Sequence, residues 1–154
     1  MEKKIKEAVI FIGLQASGKS TFYNEYFKNY VHINLDTLHT RNKEKILLDD
    51  CIKKELPFVI DNTNPTAEDR ERYIESAKDN GYKLIGYYFQ SSVSECLERN
   101  NLREGKAKVP DVAVLGTYKK IELPSKTEGF DELYYVYIKD GNFSIEDWKE
   151  GEQK

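Results

Sequence analysis

Residues 8–20 of the chain read AVIFIGLQASGKS, and this stretch decides the fold. Its first five residues form an apolar run typical of a buried β-strand, and the remainder matches the P-loop pattern G-x-x-x-x-G-K-S. Glycines let the backbone wrap closely around a polyphosphate with its N–H groups pointing inward. A helix that follows directly adds the positive end of its dipole. The stretch therefore predicts a strand, a phosphate-binding loop and a helix in succession.

The P-loop predicts a nucleotide site with ATP and Mg²⁺ as cofactors. Lys19 is expected to reach the β- and γ-phosphates and to act in catalysis, and the Ser20 hydroxyl is expected to bind Mg²⁺. The predicted nucleotide contacts in this loop are Gly13, Ala16, Ser17, Gly18, Lys19, Ser20 and Thr21. The alternative is a glycine-rich turn unrelated to phosphate. A four-position match that directly follows an apolar strand makes this alternative improbable.

The composition predicts one domain that spans residues 1–154. Charged residues make up 33% of the chain and apolar residues 39%, as in soluble globular proteins. No apolar run is long enough to span a membrane, and residues 1–7 lack the apolar stretch of a signal peptide. Cys51 and Cys96 lie far apart, so we expect two buried thiols rather than a disulfide, and a cytoplasmic location.

The charge of the chain is unevenly distributed. Its net charge of −3 argues against a domain that coats nucleic acid, because such domains are usually basic. Residues 99–120, however, contain six basic and two acidic residues, a net charge of +4. A basic segment would suit a phosphate site, and the alternative is an ordinary solvated helix and loop.

Alternating strand and helix signals predict an α/β fold of the P-loop NTPase, kinase-like type. The predicted strands are residues 8–12, 31–34, 58–60, 83–89 and 133–138, and the predicted helices are residues 19–27, 44–54, 66–79, 93–100 and 110–121. Right-handed crossovers then give a parallel five-stranded sheet covered by helices on both faces. From Asp140 onward, we expect Phe143 and Trp148 to pack back on the domain.

Two aspartates follow predicted strands and are candidates for the chemistry. Since active sites of parallel sheets lie beyond the carboxyl ends of the strands, Asp36 and Asp61 should converge with the P-loop. Asp36 is the candidate general base for an attacking hydroxyl, and its alternative is an N-cap or turn residue. Asp61 ends an apolar strand and is the candidate acidic residue at Mg²⁺. The alternative for Asp61 and the residues after it is a polar turn.

Arg99 and Arg103 lie four residues apart, on one face if the segment is helical. Both are candidates to close over the nucleotide and to stabilise charge on the transferred phosphoryl group. The alternative is a pair of surface arginines beside Glu95 and Glu98.

The chain resembles the kinase domain of polynucleotide 5′-hydroxyl kinases, a family that includes the bacteriophage enzyme and the kinase half of mammalian polynucleotide kinase-phosphatase. The matching segments are residues 13–21, 34–38, 60–65 and 128–131, together with Arg99, Asn100 and Arg103. The resemblance implies that Asp36 is the base on the 5′-hydroxyl and that Lys19 and Ser20 handle ATP·Mg²⁺. It also implies that Arg103 is a lid arginine on the phosphates and that Arg99 lies at the adenine side or in the lid.

Two positions depart from the family pattern. Leu35 stands where the family often has a basic residue, and His39 stands where the phage enzyme has an arginine that meets a substrate phosphate. The chain also has no Asp-x-Asp-x-Thr phosphatase motif, so we expect a kinase domain that stands alone. A separate phosphatase or ligase is a candidate partner, and the sequence leaves this open.

Three functions remain open from the sequence. The first is an ATP-dependent kinase that phosphorylates the 5′-hydroxyl end of DNA or RNA. The second is a kinase of a nucleoside or another small-molecule hydroxyl, which the acidic net charge and the two departures favour. The third is a nucleotide-binding regulatory ATPase module without a phosphoryl acceptor.

Overall fold

The computed structural model describes residues 5–90, 92–105 and 108–150, and a six-stranded sheet forms its centre. The strands are β1 (Glu7–Ile12), β2 (Val31–Ile33), β3 (Phe58–Asp61), β4 (Lys83–Phe89), β5 (Glu132–Lys139) and β6 (Asn142–Asp147). They lie in the order β2-β3-β1-β4-β5-β6, with β1 to β5 parallel and β6 antiparallel to β5. The five predicted parallel strands are confirmed, and each boundary lies within one residue of its prediction.

The sixth strand is a difference from the predicted five-stranded sheet. Asp140 and Gly141 connect β5 to β6, and their φ angles of 52° and 77° are both positive. Asp-Gly is a preferred pair for such a two-residue hairpin turn, so the sequence contained a signal for this strand. The predicted packing of the tail is confirmed, because the Phe143 ring lies 5.1 Å from Phe22 and the Trp148 ring lies 5.3 Å from Tyr88.

Six α-helices lie within the described ranges and connect the strands. They are α1 (Lys19–Tyr26), α2 (Leu35–Leu38), α3 (Arg41–Lys53), α4 (Ala67–Asp79), α5 (Val93–Asn101) and α6 (Asp111–Lys120), with a short 3₁₀ helix at Lys126–Glu128. The helix α2 was not predicted from the sequence. The start of α3 was predicted three residues too late, because Thr40 caps this helix by accepting a hydrogen bond from the Lys43 amide. Thr66 and Asp69 form the predicted capping box of α4.

Helices cover both faces of the sheet, as predicted. Alternate residues of β1 belong to two separate hydrophobic clusters: Ile10 packs in the cluster that contains Tyr73 of α4, and Phe11 packs in the cluster that contains Phe22 of α1. Cys51 and Cys96 are buried free thiols, as expected. Within the described ranges, no helix combines the length and the apolar character that a membrane crossing requires.

One buried arginine ties α4 to the loop after β3. The Arg70 side chain is fully buried, and its Nε donates to Glu128 Oε1 at 2.9 Å while its Nη1 donates to the Asn64 carbonyl oxygen at 2.9 Å. Asn64 Nδ2 in turn donates to the Phe11 carbonyl oxygen at 2.7 Å. These bonds fix the loop after β3 to the end of β1, the strand that leads into the P-loop.

The packing of β4 against Phe130 and the start of β5 gives a stability prediction. A Cβ at Gly86 would lie 2.6 Å from Phe130 Cε1 and 2.7 Å from Leu133 Cδ1. Gly86→Ala should therefore lower the free energy of unfolding by about 1–3 kcal/mol through overpacking. Gly116 of α6 is the matched control, because a Cβ added there would have no neighbour within 4 Å and alanine favours helix.

Thermal and urea unfolding of both variants would measure the difference. Gly116→Ala should leave stability unchanged or raise it by up to about 1 kcal/mol. Equal stability of the two variants would contradict the packing around Gly86.

Candidate active site

A cleft of about 230 Å³ lies beyond the carboxyl ends of the parallel strands. Its walls come from the P-loop, the segment after β2, the segment after β3, and the connection between α5 and α6. Six of the predicted site residues line it: Ala16, Lys19, Ser20, Asp36, Asp61 and Arg103. The predicted convergence of distant segments at this edge is therefore present in the structure.

The P-loop backbone requires small residues at two points. Gly13 lies against β4, where an added Cβ would be 2.9 Å from Phe89 Cβ. Gly18 has a φ of +100° at the start of α1, a conformation that L side chains rarely adopt. Ser17 is buried in the loop, whereas Thr21 is exposed on α1. These constraints produce the tight turn that the sequence pattern predicts.

Lys19 is enclosed by the loop that carries it. Only 8% of the residue is exposed, and its Nζ donates to the carbonyl oxygens of Leu14 at 2.6 Å and Gly13 at 3.1 Å. Burial lowers the pKa of Lys19 to about 8, although the nearby Asp61 charge acts in the opposite direction. The ammonium therefore titrates in the mildly alkaline range, well below an ordinary lysine.

Asp61 is a buried carboxylate with two donors on one oxygen. Ser20 Oγ lies 2.8 Å and His32 Nε2 lies 2.7 Å from Asp61 Oδ2. Burial alone would raise the pKa of Asp61, but the His32 bond, the Lys19 charge and the Ser20 bond together hold it below its ordinary value. Asp61 is therefore ionised near neutral pH. The Ser20 hydroxyl hydrogen points to Asp61, which leaves the Ser20 oxygen lone pairs for another ligand.

The oxygen donors of Ser20 and Asp61 suit a hard cation such as Mg²⁺. Mg²⁺ is usually held by one or two protein oxygens together with substrate phosphates and water, so these two side chains fit such a site. In the described part of the chain, no group of three or more His, Cys, Asp or Glu side chains is arranged to hold a metal by itself.

Asp36 lies on α2, the four-residue helix at the cleft wall. The side chain of Asn34 caps this helix by accepting a hydrogen bond from the Thr37 amide at 3.2 Å. Since Asn34 supplies the cap, the Asp36 carboxylate is not the N-cap that the alternative interpretation assigned to it. Asp36 is exposed in the first turn and is available to solvent and ligands.

The two arginines lie in different places. Arg103 lines the cleft after α5, whereas Arg99 is at a smaller cavity that also contains Ser17. Arg99 Nη1 lies 3.4 Å from the Ala16 carbonyl oxygen, and its Nη2 lies 3.6 Å from Glu95 Oε2. The alternative pairing with Glu95 is thus present, and Arg99 contacts the P-loop as well. Lys106 of the basic segment lies outside the described residues.

The two departures from the family pattern also differ in position. Leu35 lines the cleft and gives its wall an apolar side chain beside Asp36. His39 ends α2 with a left-handed φ of 72° and is exposed.

Two partners of the site residues were not predicted from the sequence. His32 sits on β2 and stacks on Tyr23 with ring centroids 4.0 Å apart. Glu44 of α3 is only 3% exposed, and its Oε2 accepts a hydrogen bond from Asn62 Nδ2 at 2.9 Å. A glutamate in the first turn of a helix usually faces solvent, where it interacts favourably with the positive end of the helix dipole. The sequence position of Glu44 therefore carried no signal that its side chain is buried.

Comparison with known proteins places the chain in a family. A family model described as "AAA domain" matches residues 9–124. The chain is 30% identical over 154 residues to a bifunctional polynucleotide phosphatase/kinase of Schizosaccharomyces pombe, covering 94% of this chain and 38% of that protein. It is 34% identical over 139 residues to a putative bifunctional polynucleotide phosphatase/kinase of Acanthamoeba polyphaga mimivirus, covering 85% of this chain and 33% of that protein.

The chain thus spans 33–38% of the length of these curated relatives. Among solved structures, a gluconokinase from Sinorhizobium meliloti 1021 has a TM-score of 0.62 at 20% identity, covering 88% of this chain and 84% of that chain. This likeness supports the fold. The chain therefore belongs to the AAA domain family, and its architecture is that of the P-loop kinases.

Proposed function

We propose that this protein is an ATP-dependent kinase that transfers the γ-phosphate of ATP to the 5′-hydroxyl end of DNA or RNA. The observation that carries the proposal is a cleft in which Asp36 faces the same space as Lys19, Ser20 and Arg103. The two polynucleotide phosphatase/kinase relatives support a polynucleotide end as the acceptor.

The P-loop would hold the phosphates of ATP. Its backbone amides and the start of α1 supply partial positive charge, and the Lys19 ammonium supplies a full charge. Gly13, Ala16, Ser17, Gly18 and Thr21 complete the proposed nucleotide contacts. Because Lys19 is buried, its attraction to a phosphate is weakly screened by water.

Ser20 and Asp61 would hold the metal between the protein and the phosphates. Mg²⁺ bound there would neutralise charge that develops on the phosphoryl oxygens. His32 and Ser20 both donate to one oxygen of Asp61, which fixes the orientation of this carboxylate. The protein thus supplies a prearranged oxygen pair rather than a complete metal cage.

Asp36 would accept the proton of the attacking hydroxyl as its oxygen forms a bond to the γ-phosphorus and the bond from that phosphorus to the bridging oxygen breaks, which releases ADP. An exposed carboxylate at the cleft wall can approach an acceptor that enters from solvent. Arg103, on the connection between α5 and α6, would stabilise the charge of the transferred group. Arg99 would contribute from the outer side of the P-loop, at the nucleotide rather than the acceptor.

A second candidate is a kinase of a small-molecule hydroxyl. The apolar Leu35 beside Asp36 favours it, because the acceptor side of the cleft lacks a cation at this position. Competition between a 5′-hydroxyl oligonucleotide and a nucleoside in one transfer reaction separates the two candidates.

Replacement of Asp36 tests the proposed base. Asp36→Asn should lower the transfer of labelled γ-phosphate to 5′-hydroxyl DNA and RNA oligonucleotides by about 10²–10⁴-fold, because the amide cannot accept the proton. The dissociation constant of ATP should change little, since Asp36 is not among the proposed phosphate contacts.

Asp79→Asn is the matched control, because Asp79 is exposed at the end of α4, away from the cleft. It should retain full transfer. Near-normal transfer by Asp36→Asn would reject the base assignment. Absence of transfer by the wild-type protein, despite ATP binding, would favour a small-molecule acceptor or a regulatory ATPase module.

The lowered pKa of Lys19 gives a pH prediction. At pH 8, about half of the Lys19 side chains in the free protein are neutral, and the negative phosphates of ATP should raise their pKa on binding. Binding should therefore take up as much as about half a proton per ATP at pH 8. Calorimetry in buffers of different ionisation enthalpy measures this uptake.

Lys19→Met should abolish the uptake and weaken binding, whereas Lys53→Met, at an exposed position of α3, should preserve both. Equal proton uptake by the wild type and Lys19→Met would show that another group titrates.

A further inference from the structure

Glu44 is a buried carboxylate held by three hydrogen-bond donors. Its Oε1 accepts from Tyr73 Oη at 2.8 Å and from Arg41 Nη1 at 3.2 Å, and its Oε2 accepts from Asn62 Nδ2 at 2.9 Å. Glu44 does not line the cleft that contains Asp36. Whatever Glu44 contributes to the cleft must therefore act through one of these three partners.

Asn62 is the partner that reaches the cleft. Its side-chain amide has one donor side and one acceptor side, so the group on one side determines what the other side can bind. Glu44 offers only acceptor atoms, which directs Nδ2 towards Glu44 and leaves Oδ1 on the opposite side. Asn62 Oδ1 accepts a hydrogen bond from the Leu35 amide at 3.0 Å.

The Leu35 amide is the first N–H of α2, the helix that carries Asp36. A helix of four residues cannot hold itself in place, because helix formation is costly to initiate and gains few bonds over one turn. Two side chains anchor α2 to the end of β3: Asn62 binds the Leu35 amide, and Asn34 Nδ2 donates to the Asp61 carbonyl oxygen at 2.7 Å. The orientation of the Asn62 amide therefore affects the position of Asp36.

We propose that Glu44 is a positioning residue for phosphoryl transfer, which orients the Asn62 amide so that it holds the turn bearing Asp36. This inference rests on the proposed role of Asp36 as the base. Glu44 touches no reacting group. Its contribution is to prevent Asn62 from turning its NH₂ group towards the Leu35 N–H, where donor would face donor.

Burial also makes the arrangement specific. A buried carboxylate without partners is costly, and Arg41 and Tyr73 supply the compensating bonds from α3 and α4. Arg41 Nη1 also lies 2.8 Å from Tyr73 Oη, so the three side chains form one cluster. The cluster holds the Glu44 carboxylate in position, and the carboxylate then meets the NH₂ side of the Asn62 amide.

Glu44→Gln tests the inference while it preserves the shape of the side chain. A glutamine can place its own NH₂ towards Asn62, which permits the Asn62 amide to turn and release the Leu35 amide. We expect kcat for transfer to fall by about 10- to 100-fold, because small displacements of a catalytic group have effects of this size. The dissociation constant of ATP should stay within about twofold, since the cluster does not touch the P-loop contacts.

Glu75→Gln is the matched control, because Glu75 is an exposed glutamate on α4. It should leave kcat, KM and thermal stability unchanged. Tyr73→Phe removes the hydroxyl that donates to Glu44 and accepts a longer bond from Asn62 Nδ2 at 3.4 Å. It should have a smaller effect than Glu44→Gln, because it keeps the shorter bond of 2.9 Å between Glu44 and Asn62. If Glu44→Gln does not fold, as judged by ATP binding and thermal unfolding, Asn62→Ala removes the same link while Arg41 and Tyr73 still bind the carboxylate, and it should lower kcat similarly.

A double-mutant cycle separates positioning from general structural damage. If Glu44 acts through Asp36, Glu44→Gln should cause little further loss in single-turnover transfer when Asp36 is already asparagine. An equal loss in both backgrounds would overturn the inference, as would normal transfer by Glu44→Gln in the wild-type background. Each of these results leaves the proposed function intact, provided that the wild type transfers phosphate and Asp36→Asn transfers it only at the strongly reduced rate expected above. A wild type that phosphorylates no hydroxyl acceptor would overturn the proposed function and this inference together.

Discussion

The end of β3 holds the candidate site together through two consecutive residues. Asp61 accepts hydrogen bonds from Ser20 and His32 on its side chain and from Asn34 on its carbonyl oxygen. Asn62 adds the bond to the Leu35 amide. These contacts join the end of β3 to α1, β2 and α2, whose bonded residues precede their partners by 27 to 41 residues. The proposed phosphate-binding loop and the proposed base are therefore both tied to the strand that lies between β1 and β2 in the sheet.

Burial governs the electrostatics of this arrangement. It lowers the pKa of Lys19 to about 8, and it would raise the pKa of Asp61 if its neighbours did not act more strongly in the opposite direction. Opposite charges with satisfied hydrogen bonds can persist in such a site, because each partner offsets part of the desolvation of the other. A ligand that enters meets charges and dipoles that are already oriented, which is the condition under which polar groups stabilise a transition state most effectively.

The accuracy of sequence-based prediction differed among the elements for physical reasons. The parallel strands were predicted to within one residue because β1 and β4 are apolar runs buried on both faces, and such runs are distinct in sequence. The helix α2 was missed because four residues carry no periodic pattern. The strand β6 was missed because it is largely exposed and at the sheet edge, although its Asp140-Gly141 turn was a usable signal. Glu44 was missed because burial of a polar residue depends on partners from other elements.

The sequence by itself determined the P-loop, the parallel strands and six of the residues that line the cleft, because local pattern and the direction of parallel strands suffice for these. Only the tertiary structure determined which side chains hold these residues in position. It assigned the cap of α2 to Asn34, separated Arg99 from Arg103, and connected Glu44 to the Asp36 turn through Asn62. Hydrogen bonds between side chains from distant segments depend on distances of a few tenths of an ångström, and no local sequence pattern specifies such distances.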